Sequence, residues 1–553
     1  MCGILICLSE NEDDAEQTIK VLKKSLVRRG PDIYQKADKI EEVSFKDGAN
    51  DSSKIYITFV GCVLWLRGKC PQSQPLINEQ HGSFLLWNGD IFGGVDVLDE
   101  ECDTSVLSKK LSDPKIHIPE FMSTIQGPFA FAYYHSKDKK LWFGRDFFGR
   151  HNLLIHRTNK CLILTSVMEN ILRDEYNFFE LPADGIFQVD LNIGLGTINL
   201  FPYTRETTVL SHSKESVGTN IEIDLHSHVG NPLSVKVLNN QIDSDIYKCI
   251  EVNNLNQEQI LIDLLSNPRF SKIVDTFTDV LLQSVKKRIF NQPKLCKDCV
   301  SNLLAESDIF SEHFKLPECT HSKICVLFSG GVDCAVLAAL ANQCAPINEE
   351  IDLVNVAFEQ RLQNIDIQNA TDVAKSFDVP DRKTGIIALE ELKGAYPKRQ
   401  FNFVMVNVQK DELIKTRNER INSLLFPLET VLDDSIGCAI WFASKADGTI
   451  FEDKNGSIKT SRHYQSPARV ILLGMGADEQ LGGYSRHRER FRKEGHEGLL
   501  DEIRLGNIDN CLIFNFLSRT LLVKCTNYTI TVSIGYMFFC RNGANTFSEF
   551  RKR

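Results

Sequence analysis

Four apolar runs alternate with helical stretches in the second half of the chain, and this alternation constrains the fold more than any other feature of the sequence. The runs are ICVLF at 324–328, DLVNVAF at 352–358, FVMVNV at 403–408 and VILLGM at 470–475. Strands of a parallel sheet covered by helices on both faces carry such continuous apolar runs. The sequence therefore predicts an α/β domain with a parallel sheet over about residues 270–505.

The first 205 residues follow a different pattern. Short alternating or apolar runs such as KIYITFVGCVLWL and GPFAFAYYH are separated by turn signals, and AEQTIKVLKKSL has helical spacing. This pattern is typical of an α+β domain with packed antiparallel sheets over residues 1–205. Residues 206–269 are polar and predict a connector, whereas residues 506–553 carry few charges and predict an edge strand or an atypical tail.

The composition excludes several classes of protein. A formal net charge of -10 argues against a nucleic-acid partner. The opening MCGILICLSENEDD lacks the basic stretch of a secretory signal, and no run reaches the roughly 18 apolar residues of a membrane span. The 17 cysteines are odd in number and scattered, which favours reduced thiols. We therefore expect a cytoplasmic chain with no nucleic-acid or membrane partner.

A glycine turn follows the first of the four apolar runs, in ICVLFSGGVDCAVLAAL. A strand that ends in SGG and opens a helix can direct backbone N–H groups and the helix dipole at an anion, which favours phosphate. The spacing fits neither GxxxxGK[ST] nor GxGxxG. On this signal alone, an ordinary strand-to-helix turn explains the residues equally well.

A second glycine-rich turn, GADEQLGGY, follows the last apolar run, and the two turns would face one crevice if their strands are neighbours. Together they resemble the ATP-pyrophosphatase fold of the asparagine synthetase family, which implies ATP and Mg²⁺ as cofactors. By that resemblance Ser329, Gly330 and Gly331 would hold pyrophosphate. Asp333 and Asp478 would hold Mg²⁺, in agreement with the preference of this ion for oxygen ligands.

The same resemblance assigns two further residues to the nucleotide. Val356 would line the adenine pocket, and Gly474 would approach the nucleotide with its backbone. For Val356 simple core packing is an equally good explanation, because a buried parallel strand favours valine in any case.

Cys2 is a candidate nucleophile. Removal of Met1 would leave its thiol beside a free α-amino group, and an amine with a pKa of about 8 can act as general base for the thiol of the same residue. A free cysteine is more often a small buried residue, so Cys2 alone is weak evidence for a nucleophile.

Four further segments resemble the class II glutamine amidotransferases: RRGPD, QPL, WNGDIFGG and GRDFFGR. The resemblance implies an N-terminal nucleophile fold with Cys2 as nucleophile and glutamine as substrate. It also implies that Asn88 and Gly89 form the oxyanion hole and that Asp90 and Asp103 bind glutamine. Both domains together resemble glutamine-dependent asparagine synthetase, in which ammonia reacts with an adenylated aspartate or a similar carboxylate.

Several positions depart from that pattern. Val63 stands where the synthetases carry the arginine that clamps the glutamine carboxylate, and Arg67, about 13 Å along an extended strand, is predicted to lie too far away to replace it. Met475 replaces a glutamate, and Cys334 replaces a serine. These departures keep a second hypothesis open, in which the chain is a catalytically impaired scaffold or nucleotide sensor.

A smaller cysteine motif has no part in either resemblance. CKDC at 296–299, with Cys319, His321 and Cys325 downstream, has the residue types of a zinc site. A single CxxC with irregularly spaced partners is a weak signal, so the sequence favours cysteines without a metal.

Overall fold

The computed structural model describes residues 2–44, 52–172, 176–205, 215–217, 221–223, 257–290, 295–305, 315–360, 376–428, 430–454, 457–475, 477–478, 482–520 and 529–533. Most of the predicted connector lies outside these residues. The described part of the connector contributes two short strands to a sheet of the first domain and one helix before the second.

Two antiparallel sheets build the first domain. The first sheet has six strands, in spatial order Phe179–Glu180 (β10), Leu154–Arg157 (β8), Cys161–Thr165 (β9), Gly3–Ser9 (β1), Ser52–Val63 (β3) and Ile33–Ser44 (β2). The second has eight: Leu76–Asn78 (β4), Ser83–Gly89 (β5), Phe129–His135 (β6), Lys140–Arg145 (β7), Gly185–Asp190 (β11), Ile198–Arg205 (β12), Glu215–Val217 (β13) and Ile221–Ile223 (β14).

The two sheets pack face to face around one apolar core. Phe59 of β3 stacks on Phe84 of β5 with ring centroids 4.7 Å apart, and Ile6 of β1 belongs to the same buried cluster. Three helices cover the outer faces of the sheets: Asp13–Arg29 (α1), Asp103–Leu111 (α2) and Ile118–Ser123 (α3). The predicted α+β domain of packed antiparallel sheets is confirmed.

Helix α1 shows how the sequence specifies one of these outer layers. Its buried residues Ile19, Leu22 and Leu26 recur at helical spacing and pack on Leu5 of β1 and Val60 of β3. Acidic residues in its first turn and basic residues in its last turn complement the helix dipole. The helix is therefore held against the strand that begins directly after Cys2.

A single seven-stranded sheet forms the second domain. Its spatial order is Ser457–Gln465 (β19), Asp447–Lys454 (β18), Phe401–Val408 (β17), Ile351–Phe358 (β16), Ile324–Leu327 (β15), Val470–Leu473 (β20) and Thr529–Ser533 (β21). The last five strands in this order run parallel, as the apolar runs predict, and β18 and β19 add an antiparallel hairpin at one edge.

The described residues of this domain form the helices Gln257–Ser266 (α4), Pro268–Phe290 (α5), Lys297–Leu304 (α6), Val332–Cys344 (α7), Pro380–Ala395 (α8), Lys410–Thr416 (α9), Asn422–Leu425 (α10), Val431–Lys445 (α11) and Ser485–Thr520 (α12). Side chains of α5, α7 and α8 form one apolar cluster with the strands, and side chains of α9, α10 and α11 form a second, separate cluster. The predicted α/β domain with a parallel sheet is confirmed.

The tail contributes to the same domain in its described residues. Helix α12 continues past position 506, with a break in helical geometry at Gly495, and β21 lies at the sheet edge beside β20. Among the described residues, no helix combines the length and apolar character needed to span a bilayer.

Candidate active sites

Cys2 lies at the start of β1, half-buried beside the side chain of Asn88. The backbone N–H of Cys2 donates to Asn88 Oδ1 at 2.8 Å, and Asn88 is fully buried near the end of β5. The Nδ2 group of Asn88 has no hydrogen-bond partner among the described residues. Because a buried amide donor without a partner is costly, this group is well suited to donate to a ligand oxygen beside Cys2.

The backbone around Cys2 is held by close packing. A Cβ atom on Gly3 would lie 2.5 Å from the carbonyl oxygen of Leu26, so only glycine lets α1 approach β1 this closely. Arg29 donates from Nε to the carbonyl of Cys2 at 3.4 Å and from Nη1 to the carbonyl of Ser166 at 3.0 Å. Burial lowers the pKa of the Arg29 guanidinium to about 10. The second arginine of RRGPD therefore positions the backbone of Cys2.

An open cleft lies in front of Cys2. Four of the predicted site residues line this cleft: Cys2, Gly89, Asp90 and Asp103. Its wall also contains residues that the sequence analysis did not assign to glutamine: Arg67, Gln72, Gln74, Trp87, Thr104 and His151. The cleft is the candidate glutamine site.

Arg67 lies in the wall of this cleft, so the prediction that it is too distant is wrong. Strand β3 ends at Val63, and the chain then leaves the extended conformation, with a left-handed backbone at Gly68. Arg67 Nη1 donates to Asp103 Oδ1 at 2.8 Å, and the guanidinium also donates to the backbone carbonyls of Ile91 and Val97. A distance calculated along a straight strand does not apply beyond Val63.

Asp103 is the first residue of α2 and is almost completely buried. Its Oδ2 accepts the backbone N–H of Ile91 at 2.8 Å, and its Oδ1 accepts from Arg67. Burial raises the pKa of Asp103 to about 7 against the lowering effect of Arg67, and the nearby Asp90 raises it further. The carboxylate is therefore positioned by donors on both oxygens and titrates near neutral pH.

A pH dependence follows from this titration. The resemblance to the amidotransferases implies that Asp103 binds the α-ammonium group of glutamine, and only the ionised carboxylate attracts that group. On this assignment, kcat/KM for glutamine should rise with pH through about 7 and be about tenfold below its plateau at pH 6. Because the folded pKa lies above that of an unfolded aspartate, the same group lowers folding stability as the pH rises from about 4 to 7. In Asp103→Asn, kcat/KM should be low throughout and lack this rise; a wild-type profile in the variant would contradict the assignment.

Two side chains of the segments QPL and GRDFFGR, Gln74 and Asp146, hydrogen-bond to the elements around the cleft. Gln74 accepts the backbone N–H of Trp87 at 2.8 Å and donates to Thr104 at 3.1 Å, which connects β5 to α2. Asp146 accepts from the backbone N–H groups of Phe129 and Arg150. The polar side chains of Gln74 and Asp146 are therefore hydrogen-bonded to the scaffold.

The two glycine turns of the second domain lie at the carboxyl ends of neighbouring parallel strands. Strand β15 pairs with β20 in the register Ile324 to Val470 and Val326 to Leu472. Gly331 then caps the N-terminus of α7. The two turns therefore begin at the same edge of the sheet, as the sequence predicts.

The two central glycines of SGGVD differ in their surroundings. Gly330 has a φ of +85°, and a Cβ atom there would overlap the backbone of Thr384 in α8. A Cβ atom on Gly331 would meet only Ser329 Oγ, at 3.6 Å, and its φ of -70° suits any residue. Gly330 is thus required by packing, whereas Gly331 leaves space for a ligand in front of the helix N-terminus.

The predicted magnesium ligands lie on these two turns. Asp333 is exposed in the first turn of α7, and a Cβ atom on Gly474 would lie 2.9 Å from its Cβ, so the end of β20 touches this aspartate. Asp478 is exposed, and its carbonyl accepts the N–H of Gly483 at 2.9 Å. Two accessible carboxylates around an open helix N-terminus are a donor set that fits Mg²⁺.

The remaining predicted or altered positions have apolar surroundings. Val356 and Met475 are half-buried and pack against one apolar cluster on the same face of the sheet. Cys334 is buried, and its thiol donates to the carbonyl of Gly331 at 3.0 Å. Cys334 therefore supports the turn from within the core, and its pKa is raised by burial.

An ion pair joins the two domains behind the glutamine cleft. Arg469 Nη2 donates to Asp32 Oδ2 at 2.7 Å, and both side chains are less than 10% exposed. The same carboxylate oxygen accepts the backbone N–H of Trp65, which lines the cleft. The aspartate of RRGPD thus connects the cleft wall to the segment before β20.

Comparison with known proteins finds similarity in both domains and along most of the chain. A model for a glutamine amidotransferase domain matches residues 68–173, and a model for queuosine biosynthesis protein QueC matches residues 323–453. Asparagine synthetase domain-containing protein 1 of Mus musculus is 36% identical over 564 residues, which cover 92% of this chain and 84% of that protein. The chain belongs to the asparagine synthetase domain-containing protein 1 family.

More distant similarities extend beyond the asparagine synthetase domain-containing protein 1 family. The putative asparagine synthetase [glutamine-hydrolyzing] 1 of Methanocaldococcus jannaschii is 23% identical, over 78% of this chain and 58% of that protein. A solved structure of glutamine phosphoribosylpyrophosphate amidotransferase from B. subtilis aligns with 39% of this chain and 49% of that chain at 16% identity, with a TM-score of 0.24. The expected relationship to asparagine synthetases is confirmed at the level of the family.

Proposed function

We propose that the chain is a glutamine-dependent amidotransferase that hydrolyses glutamine at Cys2 and uses the ammonia to amidate an ATP-activated carboxylate, aspartate or one like it, in the cytoplasm. The observation that carries this proposal is the 2.8 Å bond between Cys2 N and Asn88 Oδ1, with the Nδ2 donor of Asn88 left for a ligand. Nucleophile and oxyanion donor are then adjacent at the end of one cleft.

Glutamine hydrolysis needs only groups of this cleft. After removal of Met1, the α-amino nitrogen of Cys2 takes the thiol proton as sulfur attacks the amide carbon of glutamine. Asn88 Nδ2 and the N–H of Gly89 stabilise the charge on the amide oxygen. The proton passes to the departing nitrogen, ammonia leaves, and water hydrolyses the γ-glutamyl thioester to glutamate.

Charged side chains of the cleft bind the α-ammonium and α-carboxylate groups of glutamine, at the end of the cleft away from Cys2. Asp103 and Asp90 accept the α-ammonium group, and Arg67 supplies the positive charge for the α-carboxylate that Val63 lacks. Replacement of Arg67 by glutamine should therefore raise KM for glutamine more than it lowers kcat.

The second domain provides the anion site. The N–H groups of the Ser329 to Gly331 turn and the open N-terminus of α7 bind the pyrophosphate part of ATP, while Val356 and the backbone of Gly474 border the base and sugar. Asp333 and Asp478 would hold Mg²⁺. ATP with Mg²⁺ would supply the adenylyl group that activates the carboxylate.

Pyrophosphate exchange tests the proposal for this second domain. Labelled pyrophosphate should enter ATP when aspartate is present, and Asp333→Ala should lower the rate on the order of 10²-fold because one of two carboxylate ligands is lost. Asp381→Ala is a control on a different helix. Exchange that is equally fast in Asp333→Ala would refute the assignment.

Met475 favours a second candidate function. A thioether cannot exchange a proton or pair with an amine at the position where the synthetases carry a glutamate, and here it packs against apolar residues. In this alternative the chain binds ATP without turnover, as a scaffold or sensor. ATP binding by calorimetry with no pyrophosphate exchange for any tested carboxylate would support it.

A further inference from the structure

A compact group of sulfur and nitrogen atoms lies at the junction of the two domains, and none of its residues lines the candidate glutamine cleft. This group, the cysteine cluster, consists of Cys296, Cys299, Cys319 and His321, whose ligand atoms all lie within 4.8 Å of one another. All three thiols are free. Cys325, which the sequence analysis placed with them, is instead buried in β15 and is not part of the cluster.

The distances within the cluster fit a shared metal ion. His321 Nδ1 lies 3.5 Å from the sulfur of Cys296, 3.9 Å from that of Cys299 and 3.7 Å from that of Cys319. Sulfur at 2.3 Å and nitrogen at 2.0–2.1 Å from a tetrahedral zinc ion lie about 3.6 Å apart. The nitrogen is therefore at the edge length of a zinc tetrahedron from all three sulfurs.

Hydrogen bonding alone does not account for this arrangement. One imidazole nitrogen has either one proton or one lone pair, so it can satisfy one of three sulfur neighbours. A cation that accepts all four ligand atoms satisfies the whole set. Three thiolates and one imidazole favour Zn²⁺ over Mg²⁺ or Ca²⁺, which prefer oxygen ligands.

The local backbone supports thiolates in this position. Cys296 caps the N-terminus of α6, and its sulfur accepts the N–H of Cys299 at 3.5 Å. The N–H of Cys296 in turn points to the sulfur of Cys319 at 3.4 Å. N–H groups and the positive end of a helix dipole both stabilise negative sulfur, so the outer shell of a metal site is already in place.

We propose that the cysteine cluster binds one structural zinc ion that fixes the junction between the amidotransferase and synthetase domains. Cys296 and Cys319 pack with Trp65, the residue of the cleft wall that Asp32 anchors. Lys297, at the start of α6, donates from its backbone to the carbonyl of Pro467, two residues before the Arg469 that pairs with Asp32. With four protein ligands the site is closed, which indicates a structural role rather than a catalytic one.

Metal analysis of the purified full chain tests this proposal. We expect about one zinc ion per chain by mass spectrometry of the metal, after gel filtration without chelator. Cys319→Ser and His321→Ala should contain only a small fraction of this amount. Cys70→Ser is the matched control because Cys70 is an exposed thiol outside the cluster, and it should keep its zinc.

Cobalt provides a second measurement that needs no variant. Adding Co²⁺ to the metal-free chain should produce the thiolate charge-transfer and visible absorption of a tetrahedral site, and Zn²⁺ should remove this absorption. A folded chain that contains no metal and gives no cobalt absorption would overturn the proposal. A disulfide within the cluster of the freshly purified chain, or iron or copper in place of zinc at equal stoichiometry, would also overturn it.

Discussion

Replacing Cys2 by serine is expected to lower glutamine hydrolysis on the order of 10³-fold or more. The thiol sits beside its own α-amino group and the Nδ2 donor of Asn88, and a serine hydroxyl is a much poorer nucleophile at neutral pH. Glutamate release, measured at saturating glutamine, gives the rate. Pyrophosphate exchange in the second domain should continue at the wild-type rate, because Cys2 does not touch the SGGVD turn.

Two further variants make this test specific. Asn88→Ala should lower kcat for glutamine about 10²-fold to 10³-fold, the usual effect of losing one oxyanion donor. Cys70→Ser removes an exposed thiol outside the site and should leave the rate unchanged. Full glutaminase activity in Cys2→Ser would mean that the cleft in front of β1 is not the hydrolytic site.

The paired variants Gly330→Ala and Gly331→Ala should affect different properties: the first should lower folding stability, and the second should lower pyrophosphate exchange. Gly330→Ala places a Cβ atom on the backbone of Thr384 at a left-handed φ, so it should cost about 3 kcal/mol or more of folding stability. Gly331→Ala finds open space and an ordinary backbone conformation, so its melting temperature should stay equal or rise slightly. Its methyl group would occupy the space in front of the helix, so pyrophosphate exchange should fall at least about tenfold.

Thermal unfolding and exchange assays on the same preparations separate these effects. If SGGVD were only a tight strand-to-helix turn, Gly331→Ala would be both stable and fully active in exchange. Its selective loss of exchange, with an unchanged melting curve, would show that the second glycine serves a ligand and the first serves the fold.

The sequence predicted the architecture because its signals are local. The apolar runs that became β15, β16, β17 and β20 are continuous along the chain, and their pairing follows from the general rules for parallel sheets. The same holds for the turns after β15 and β20, since carboxyl ends of neighbouring parallel strands share one edge. Turn residues such as Gly331 could be found for this reason.

Residues brought in by chain reversals could not be located from the sequence in this way. Arg67 reaches the cleft because β3 ends at Val63, whose carbonyl accepts the N–H of Asp32, and Arg67 itself pairs with the distant Asp103. The cysteine cluster is a further example, because its two halves are separated by residues 300–318 and only the fold shows that His321 belongs and Cys325 does not.

The central claim, that both domains take part in one reaction, is tested most directly by measuring glutamate and AMP in one incubation with glutamine, aspartate, ATP and Mg²⁺. The account predicts that the two products form in equal amounts, and that Cys2→Ser abolishes both unless ammonia is added. Glutamate formation without AMP under these conditions, or no glutamate at all above the level of Cys2→Ser, would contradict it.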